Sequence, residues 1–139
     1  ISNGPGDPTR VKQTIKNVKK ILAKKIPTLG ICLGNQILTL ASGGSTFKLK
    51  FGHRSQNQPV IENSTKKCYL TTQNHGFAVG AIPKGFKEWF HNANDKTNEG
   101  IIHDSEPFMS VQFHPESSPG PTDTDWVFDY FLKRAGIIK

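Results

Sequence analysis

The chain has 139 residues, 35% of them hydrophobic, with a mean hydropathy of −0.47 and a formal net charge of +7. That length suffices for one domain with one hydrophobic core, and no apolar run approaches the roughly 20 residues that span a bilayer. Two cysteines without CxxC spacing exclude a disulfide scaffold and favour a reducing compartment. We therefore expect a cytoplasmic location, with the mitochondrion as the alternative.

The positive charge is concentrated in the first predicted helix, between residues 10 and 25. Apolar residues recur there at helical spacing and lysines fill the other sides, which indicates an amphipathic helix with a solvated basic face. No aromatic interleaving or nucleic-acid motif accompanies the lysines, so we expect no nucleic-acid partner. The apolar positions are Val11, Ile15, Val18 and Leu22.

The elements before residue 45 are predicted in the order turn, helix, strand, helix. "SNGPGDP" is dense in turn formers, with Asp7 as a helix N-cap and Pro8 at the first helical position. The helix runs to about Lys25, and "IPTLGIC" follows as a short buried strand. "LGNQILTLAS" is helical and stops at Gly43-Gly44.

Short extended runs follow from Gly44 to about Phe113, and "TDTDWVFDYFLKRAG" is a final helix. This order predicts an α/β fold. A doubly wound fold normally offers strands before its first catalytic loop, yet this chain begins at that loop. We therefore expect a segment of a longer polypeptide, whose missing part supplies at least one core strand. The predicted strands are "STFKLKF", "KCYLTTQ", "FKEWFHNA", "EGIIH" and "PFMSVQF".

Cys32 is the first candidate for chemistry. It stands between Gly30 and Gly34 in "LGICLGNQ", which matches the nucleophile-elbow pattern G-x-S-x-G with sulfur in place of oxygen. A strand leads in and a helix leads out, so the thiol is expected to gain thiolate character from the helix N-terminus. The N–H group of Leu33 is then placed to stabilise an oxyanion. A buried core cysteine is the alternative reading of this motif.

"QFHPES" supplies a base and an orienting acid. His114 and Glu116 lie two residues apart after a predicted strand and therefore point the same way. A thiol nucleophile needs such a base, and the base needs an orienting group. Without Cys32, the same residues would be read as a loop histidine and a surface acid.

Other motifs are less specific. Gly4 and Gly6 could line an anion or amide pocket or simply make a turn, and "TTQNHGFAV" could present Asn74 and His75 or form a turn. Cys68 is predicted to be a buried strand cysteine. The remaining histidines, His53, His75, His91 and His103, show no metal-ligand spacing, so no metal is expected.

Together, "GICLGNQ", "FHPE" and "ISNGPGDP" resemble the class I (triad) glutamine amidotransferases. Within them, four further stretches resemble the glutaminase domain of carbamoyl-phosphate synthetase, in its eukaryotic multifunctional form. The resemblance covers the whole chain and implies one partial amidotransferase domain over residues 1–139. It also implies an open, mainly parallel α/β sheet with flanking helices. The four stretches are "KFGHRSQNQPV", "TTQNHGFAV", "NEGIIHDSEPFMSVQFHPE" and "SPGPTDTDWVFDYF".

The resemblance implies that glutamine is hydrolysed to glutamate and ammonia. Cys32 would form a γ-glutamyl thioester, His114 would transfer the proton and Glu116 would orient His114. N–H groups of Leu33 and Gly4 would hold the oxyanion. The residues matching glutamine-holding positions are Gly6, Gln36, Asn74, Gly76 and Phe77.

The implied partner is an ammonia-using synthetase, fused or as a subunit, which makes carbamoyl phosphate from bicarbonate for pyrimidine, arginine or urea synthesis. ATP and magnesium belong to that partner, and no cofactor is expected in this domain. Asn35 and Ser55 depart from the family, which often has histidine and glycine there. The alternatives are another triad amidotransferase, serving anthranilate or guanylate synthesis, and a non-catalytic docking domain.

Overall fold

The computed structural model describes residues 1–139 and contains one six-stranded sheet and three α-helices. The elements are a 3-10 turn Pro8–Arg10, α1 Lys12–Ala23, β1 Thr28–Ile31, α2 Leu33–Ala41, β2 Thr46–Glu62, β3 Cys68–Val79, β4 Phe86–Asn92, β5 Asn98–His103, β6 Phe108–Val111 and α3 Trp126–Arg134. The strands lie in the order β1-β6-β5-β4-β2-β3, so β1 and β3 form the edges. None of the helices is both long and apolar enough to cross a membrane.

The first helical region is divided into the 3-10 turn and α1, whereas the sequence predicts one helix from Pro8 to about Lys25. The Asp7 carboxylate accepts a hydrogen bond from the Thr9 backbone N–H at 2.9 Å, and Pro8 occupies the start of the 3-10 turn. In α1, Val18 is buried and every lysine is exposed. The basic face of α1 is therefore a solvated surface.

The sheet is mixed, and this corrects the expectation of a mainly parallel one. Only β1 and β6 pair in parallel; the other four pairings are antiparallel. Parallel neighbours need a long crossover, usually a helix, whereas β2 to β6 follow one another without an intervening helix. The α/β class and the open sheet with helices are confirmed.

The long β2–β3 hairpin extends further than the sequence predicts. The segment 74–77 continues β3 and does not form a turn, and β2 runs through 52–59, which was not predicted to be extended. Two register shifts interrupt the pairing, between Lys48 and His53 and between Ser55 and Gln58. Such irregularities bend a strand and redirect its side chains.

Two hydrophobic clusters hold the elements together. The larger one joins the sheet to α3 and centres on Phe90, Met109 and Phe113. The smaller one packs α1 against α2 through Val18 and Leu38. It fixes the N-terminal end of α2, where the candidate nucleophile lies.

Cys68 is exposed, so the prediction of a buried strand cysteine is wrong. It is the first residue of β3, an edge strand, and it pairs with Ile61 near the end of the hairpin. Apolar neighbours in the sequence do not imply burial at the end of an edge strand.

Candidate active site

Cys32 occupies the sharp turn between β1 and α2 in a strained backbone conformation. Its φ is 57° and its ψ is −106°, although it is not a glycine. Its backbone N–H donates to the Val111 carbonyl at 2.9 Å, which ties the turn to the end of β6. A non-glycine residue held at positive φ is energetically costly and is typical of functional sites.

The glycines on either side of Cys32 are required by close backbone contacts. A Cβ atom on Gly30 would overlap the Gly34 carbonyl oxygen, and one on Gly34 would overlap the carbonyl oxygen of Ile1. The end of β1, the start of α2 and the N-terminal segment are therefore in van der Waals contact next to Cys32. This explains the G-x-C-x-G spacing in physical terms.

The Cys32 side chain is buried, and burial raises the pKa of its thiol to about 11. The Leu33 backbone N–H and the Gln112 amide act in the opposite direction, while the Glu116 carboxylate adds to the rise. A lowered thiol pKa is expected from the sequence, but here burial outweighs the two hydrogen bonds and the pKa of Cys32 is raised. The thiol needs a base in order to react.

His114 and Glu116 form the pair that their spacing predicts. His114 Nδ1 lies 2.8 Å from Glu116 Oε1, and the His114 backbone N–H donates to the Thr72 carbonyl at 2.9 Å. The histidine side chain is 11% exposed and the carboxylate 46%. Because Glu116 occupies Nδ1, Nε2 is the nitrogen left to exchange a proton.

Cys32 and His114 line the same cavity, which has a volume of about 580 Å³. Every other predicted site residue lines it too, except Glu116, which lies behind His114. Gly4 comes close to the start of α2, since a Cβ there would lie 2.8 Å from Leu33 Cδ2. The cavity-lining predicted residues are Gly4, Gly6, Cys32, Leu33, Gln36, Asn74, Gly76, Phe77 and His114.

The cavity also contains residues that the sequence did not single out. Lys48 and Arg54 contribute two positive charges from β2, and the loop residues Asn3 and Pro5 contribute to the wall. His75, which the sequence analysis names together with Asn74, lines the cavity too, with Nδ1 2.7 Å from the Phe77 carbonyl oxygen. The basic pair was missed because nothing in the sequence places β2 beside α2.

A second polar cluster lies in the sheet nearby. His53 Nε2 is 2.7 Å from Asp95 Oδ2, and its Nδ1 is 3.4 Å from Oε1 of the fully buried Glu99. These carboxylates raise the pKa of His53 to about 9. Burial lowers the pKa of His75, whose ring packs edge-on against His53, to about 4.

His53, His75 and Glu99 each offer a possible metal-ligand atom, and these atoms lie within 4.8 Å of one another. The spacing of histidines along the sequence gave no sign of this cluster. His75 Nε2 contacts the Gln73 side-chain oxygen at 2.7 Å, and Asp95 holds His53. His53, His75 and Glu99 lie on β2, β3 and β5, so the assembled sheet and not the local sequence brings them together.

The site therefore combines a buried thiol on a strained turn, a histidine with one free nitrogen, an orienting carboxylate and backbone donors at a helix start. This constellation suits acyl transfer through a covalent thioester. The family model "Glutamine amidotransferase class-I" matches residues 1–134.

The chain belongs to the class I glutamine amidotransferase family.

Several of the proteins that it resembles at about half identity are carbamoyl phosphate synthase small chains. It is 56% identical over 135 residues to the carbamoyl phosphate synthase small chain of Methanocaldococcus jannaschii, covering 96% of this chain and 38% of that protein. It is 54% identical over 143 residues to the multifunctional protein CAD of Squalus acanthias, covering 100% of this chain and 6% of that protein. The chain thus spans less than two fifths of the length of each of these relatives.

The amidotransferase fold is also found in a solved structure. A glutamine amidotransferase from Thermotoga maritima, determined as a crystal structure, superposes with a TM-score of 0.72 at 25% identity. The match covers 98% of this chain and 64% of that one. The mixed sheet and its helices are thus those of a class I amidotransferase.

Proposed function

We propose that this chain is the glutaminase part of a carbamoyl phosphate synthase, hydrolysing glutamine to glutamate and ammonia. The observation that carries the proposal is the shared cavity: Cys32 on its positive-φ turn and His114, paired with Glu116, line one space. The family membership of residues 1–134 supports the same chemistry.

In the proposed reaction, Cys32 Sγ attacks the side-chain carbonyl carbon of glutamine as its proton passes to His114 Nε2. Glu116 keeps His114 in the required orientation and stabilises the imidazolium that forms. Backbone N–H groups of Leu33 and Gly4 hold the oxyanion. His114 then protonates the leaving nitrogen, and ammonia departs from a γ-glutamyl thioester.

Water completes the cycle. His114 takes a proton from a water molecule, the resulting hydroxide attacks the thioester carbonyl, and glutamate leaves as the Cys32 thiol is restored. Throughout, glutamine is held by residues from the N-terminal loop, α2 and β3. These are Gly6, Gln36, Asn74, Gly76 and Phe77.

The raised pKa of Cys32 is compatible with this mechanism. With a thiol pKa of about 11, only about one molecule in 10⁴ carries a free thiolate at pH 7. The nucleophile is therefore generated together with proton transfer to His114, once glutamine occupies the cavity.

The relatives support a proposal for the destination of the ammonia. A carbamoyl phosphate synthase small chain and the multifunctional protein CAD both contain a segment at least 54% identical to this chain. We infer that ammonia passes to a synthetase partner, which combines it with bicarbonate using ATP and magnesium. This domain itself needs no cofactor for the proposed hydrolysis.

The test is an assay of the full-length protein for glutamate, ammonia and carbamoyl phosphate, with bicarbonate and ATP. Cys32→Ser should abolish glutamine-dependent synthesis and leave synthesis from added ammonium intact. Cys68→Ser is the matched control, because Cys68 is exposed and lies outside the cavity; it should behave as wild type.

Two results would overturn the proposal. Glutamine hydrolysis that survives Cys32→Ser would support a non-catalytic docking role for this domain. Glutamine-derived ammonia that reaches chorismate and not bicarbonate would assign the chain to a different triad amidotransferase.

A further inference from the structure

Gln112 directly follows the last residue of β6, and its side chain is completely buried next to the candidate nucleophile. Its Nε2 lies 3.8 Å from Cys32 Sγ, within the range of a hydrogen bond to sulfur. Its backbone N–H donates to the Glu99 carbonyl at 2.8 Å, so the residue is anchored to β5. A buried amide beside a reacting sulfur atom has a role only if its donor end faces the sulfur.

The hydrogen-bond network determines which end of the amide faces Cys32. Gln36 Nε2 donates to the Phe77 backbone carbonyl at 2.9 Å, and a carbonyl oxygen can only accept. The same nitrogen lies 3.1 Å from Oε1 of Gln112, so that atom must be the oxygen. The Gln112 NH₂ group is therefore the end directed at the sulfur.

The second donor to Gln112 strengthens this orientation. Asn35 Nδ2 also donates to Gln112 Oε1 at 3.1 Å, and the Ser110 hydroxyl donates to Asn35 Oδ1 at 2.7 Å. Flipping the Gln112 amide would turn its NH₂ group toward two donors and break both hydrogen bonds. A fully buried site offers no water in compensation, so the flip is strongly disfavoured.

We propose that Gln112 is a positioning residue for the Cys32 thiolate, with an N–H group held in place to hydrogen-bond the sulfur as it loses its proton. The inference rests on the proposed function, since it takes Cys32 as the nucleophile. A donor fixed before the reaction needs no reorientation when charge develops, which is the condition for effective electrostatic stabilisation. Asn35, at a position where the family often has histidine, serves this network by donating to the oxygen of Gln112.

The experiment compares the alkylation rates of Cys32 and Cys68 in the full-length chain. Iodoacetamide at pH 8 modifies both thiols, peptide mass spectrometry follows each one, and the exposed Cys68 serves as the internal reference. Gln112→Met removes the donor at similar side-chain length. Gln112→Glu keeps an acceptor oxygen for Asn35 and Gln36.

Both variants should lower the Cys32/Cys68 rate ratio about tenfold, as expected for the loss of a hydrogen bond to a charged group. Turnover of glutamine should fall by a similar factor. Gln58→Glu is the matched control, because Gln58 is partly buried in β2, makes side-chain hydrogen bonds and does not line the cavity; its ratio should not change.

A ratio equal to or above that of wild type in both Gln112 variants would overturn the inference. If Gln112 had only a structural role, its replacement would loosen the core, expose Cys32 and raise the Cys32/Cys68 alkylation ratio. Failure of the proposed function gives a different result, because glutamine hydrolysis would then survive Cys32→Ser. The alkylation ratio is measured without glutamine and would still test the hydrogen bond from Gln112 to Cys32.

Discussion

The His114–Glu116 and His53–Asp95 pairs have nearly the same nitrogen–oxygen distance, 2.8 and 2.7 Å, and equally exposed carboxylates, at 46% and 45%. They differ in what the second ring nitrogen meets. His114 lines a cavity that also contains a thiol, whereas the second nitrogen of His53 faces the buried carboxylate of Glu99. The second ring nitrogen of His114 is therefore available for proton transfer, whereas His53 lies between two carboxylates.

This difference shows that a short histidine–carboxylate contact does not by itself identify a catalytic base. A histidine between two carboxylates is held in its protonated form and cannot accept another proton. A histidine with one carboxylate is oriented and remains available.

The largest effect is expected from replacing His114. His114→Asn should lower kcat for glutamine hydrolysis about 10³-fold, because the thiol loses its general base. His53→Asn should leave kcat per folded molecule within a few-fold of wild type. Steady-state assays corrected for folded fraction check this, and comparable losses in the two variants would remove the distinction between the pairs.

A smaller loss is expected from the orienting acid. Glu116→Gln should reduce kcat about 100-fold, since the amide holds His114 less well and does not stabilise the imidazolium. Asp95→Asn makes the equivalent change in the other pair and should barely affect kcat. Equal kcat values for Glu116→Gln and wild type would show that His114 needs no orienting group.

The His53 cluster should contribute to stability in a pH-dependent way. The pKa of His53 is about 9 in the folded protein, above the ordinary value of 6.5. The stabilisation from its protonated form is therefore complete below pH 6.5 and is lost as the pH rises through 9. His53→Asn should therefore lower the free energy of unfolding by about 2 kcal/mol at pH 6 and by much less at pH 9.5.

Urea titrations of both proteins at the two pH values measure that difference. The groups facing His53 are Asp95, Glu99 and His75, and the first two supply the favourable charge. A stability difference that stays constant between pH 6 and 9.5 would contradict the assignment of His53 as a protonated partner of these carboxylates.

The smallest effect concerns the positive charges of the cavity. Arg54→Met should raise KM for glutamine about three- to fivefold with little change in kcat, because a partly solvated charge contributes modestly to holding the substrate's carboxylate. Lys50→Met, a neighbouring exposed lysine on β2 outside the cavity, is the control. An unchanged KM for Arg54→Met would exclude this contribution.

Local motifs explain why the candidate catalytic residues could be predicted from the sequence. Gly30, Cys32 and Gly34 form a recognisable G-x-C-x-G pattern within five positions, and His114 and Glu116 lie two positions apart. Conversely, Gln112 meets Cys32 across 80 positions, and His53 meets Asp95 across 42. Only the pairing of the strands brings such residues together.

The errors have physical causes too. Strand direction was misjudged because the resemblance implied a mainly parallel sheet, while the helix-free succession from β2 to β6 favours antiparallel pairing. The thiol was expected to ionise readily because the helix N-terminus is visible in the sequence. Its burial, which raises the pKa of Cys32, depends on the assembled fold.

The most direct test of the central claim is labelling of the full-length protein with a glutamine-like chloroketone, followed by peptide mass spectrometry. Cys68 is the internal control, since it is exposed and outside the cavity. The account predicts a single adduct on Cys32 that glutamine prevents. Labelling of Cys32 that glutamine does not slow, or labelling of Cys68 alone, would contradict the assignment of Cys32 as the nucleophile of a glutamine site.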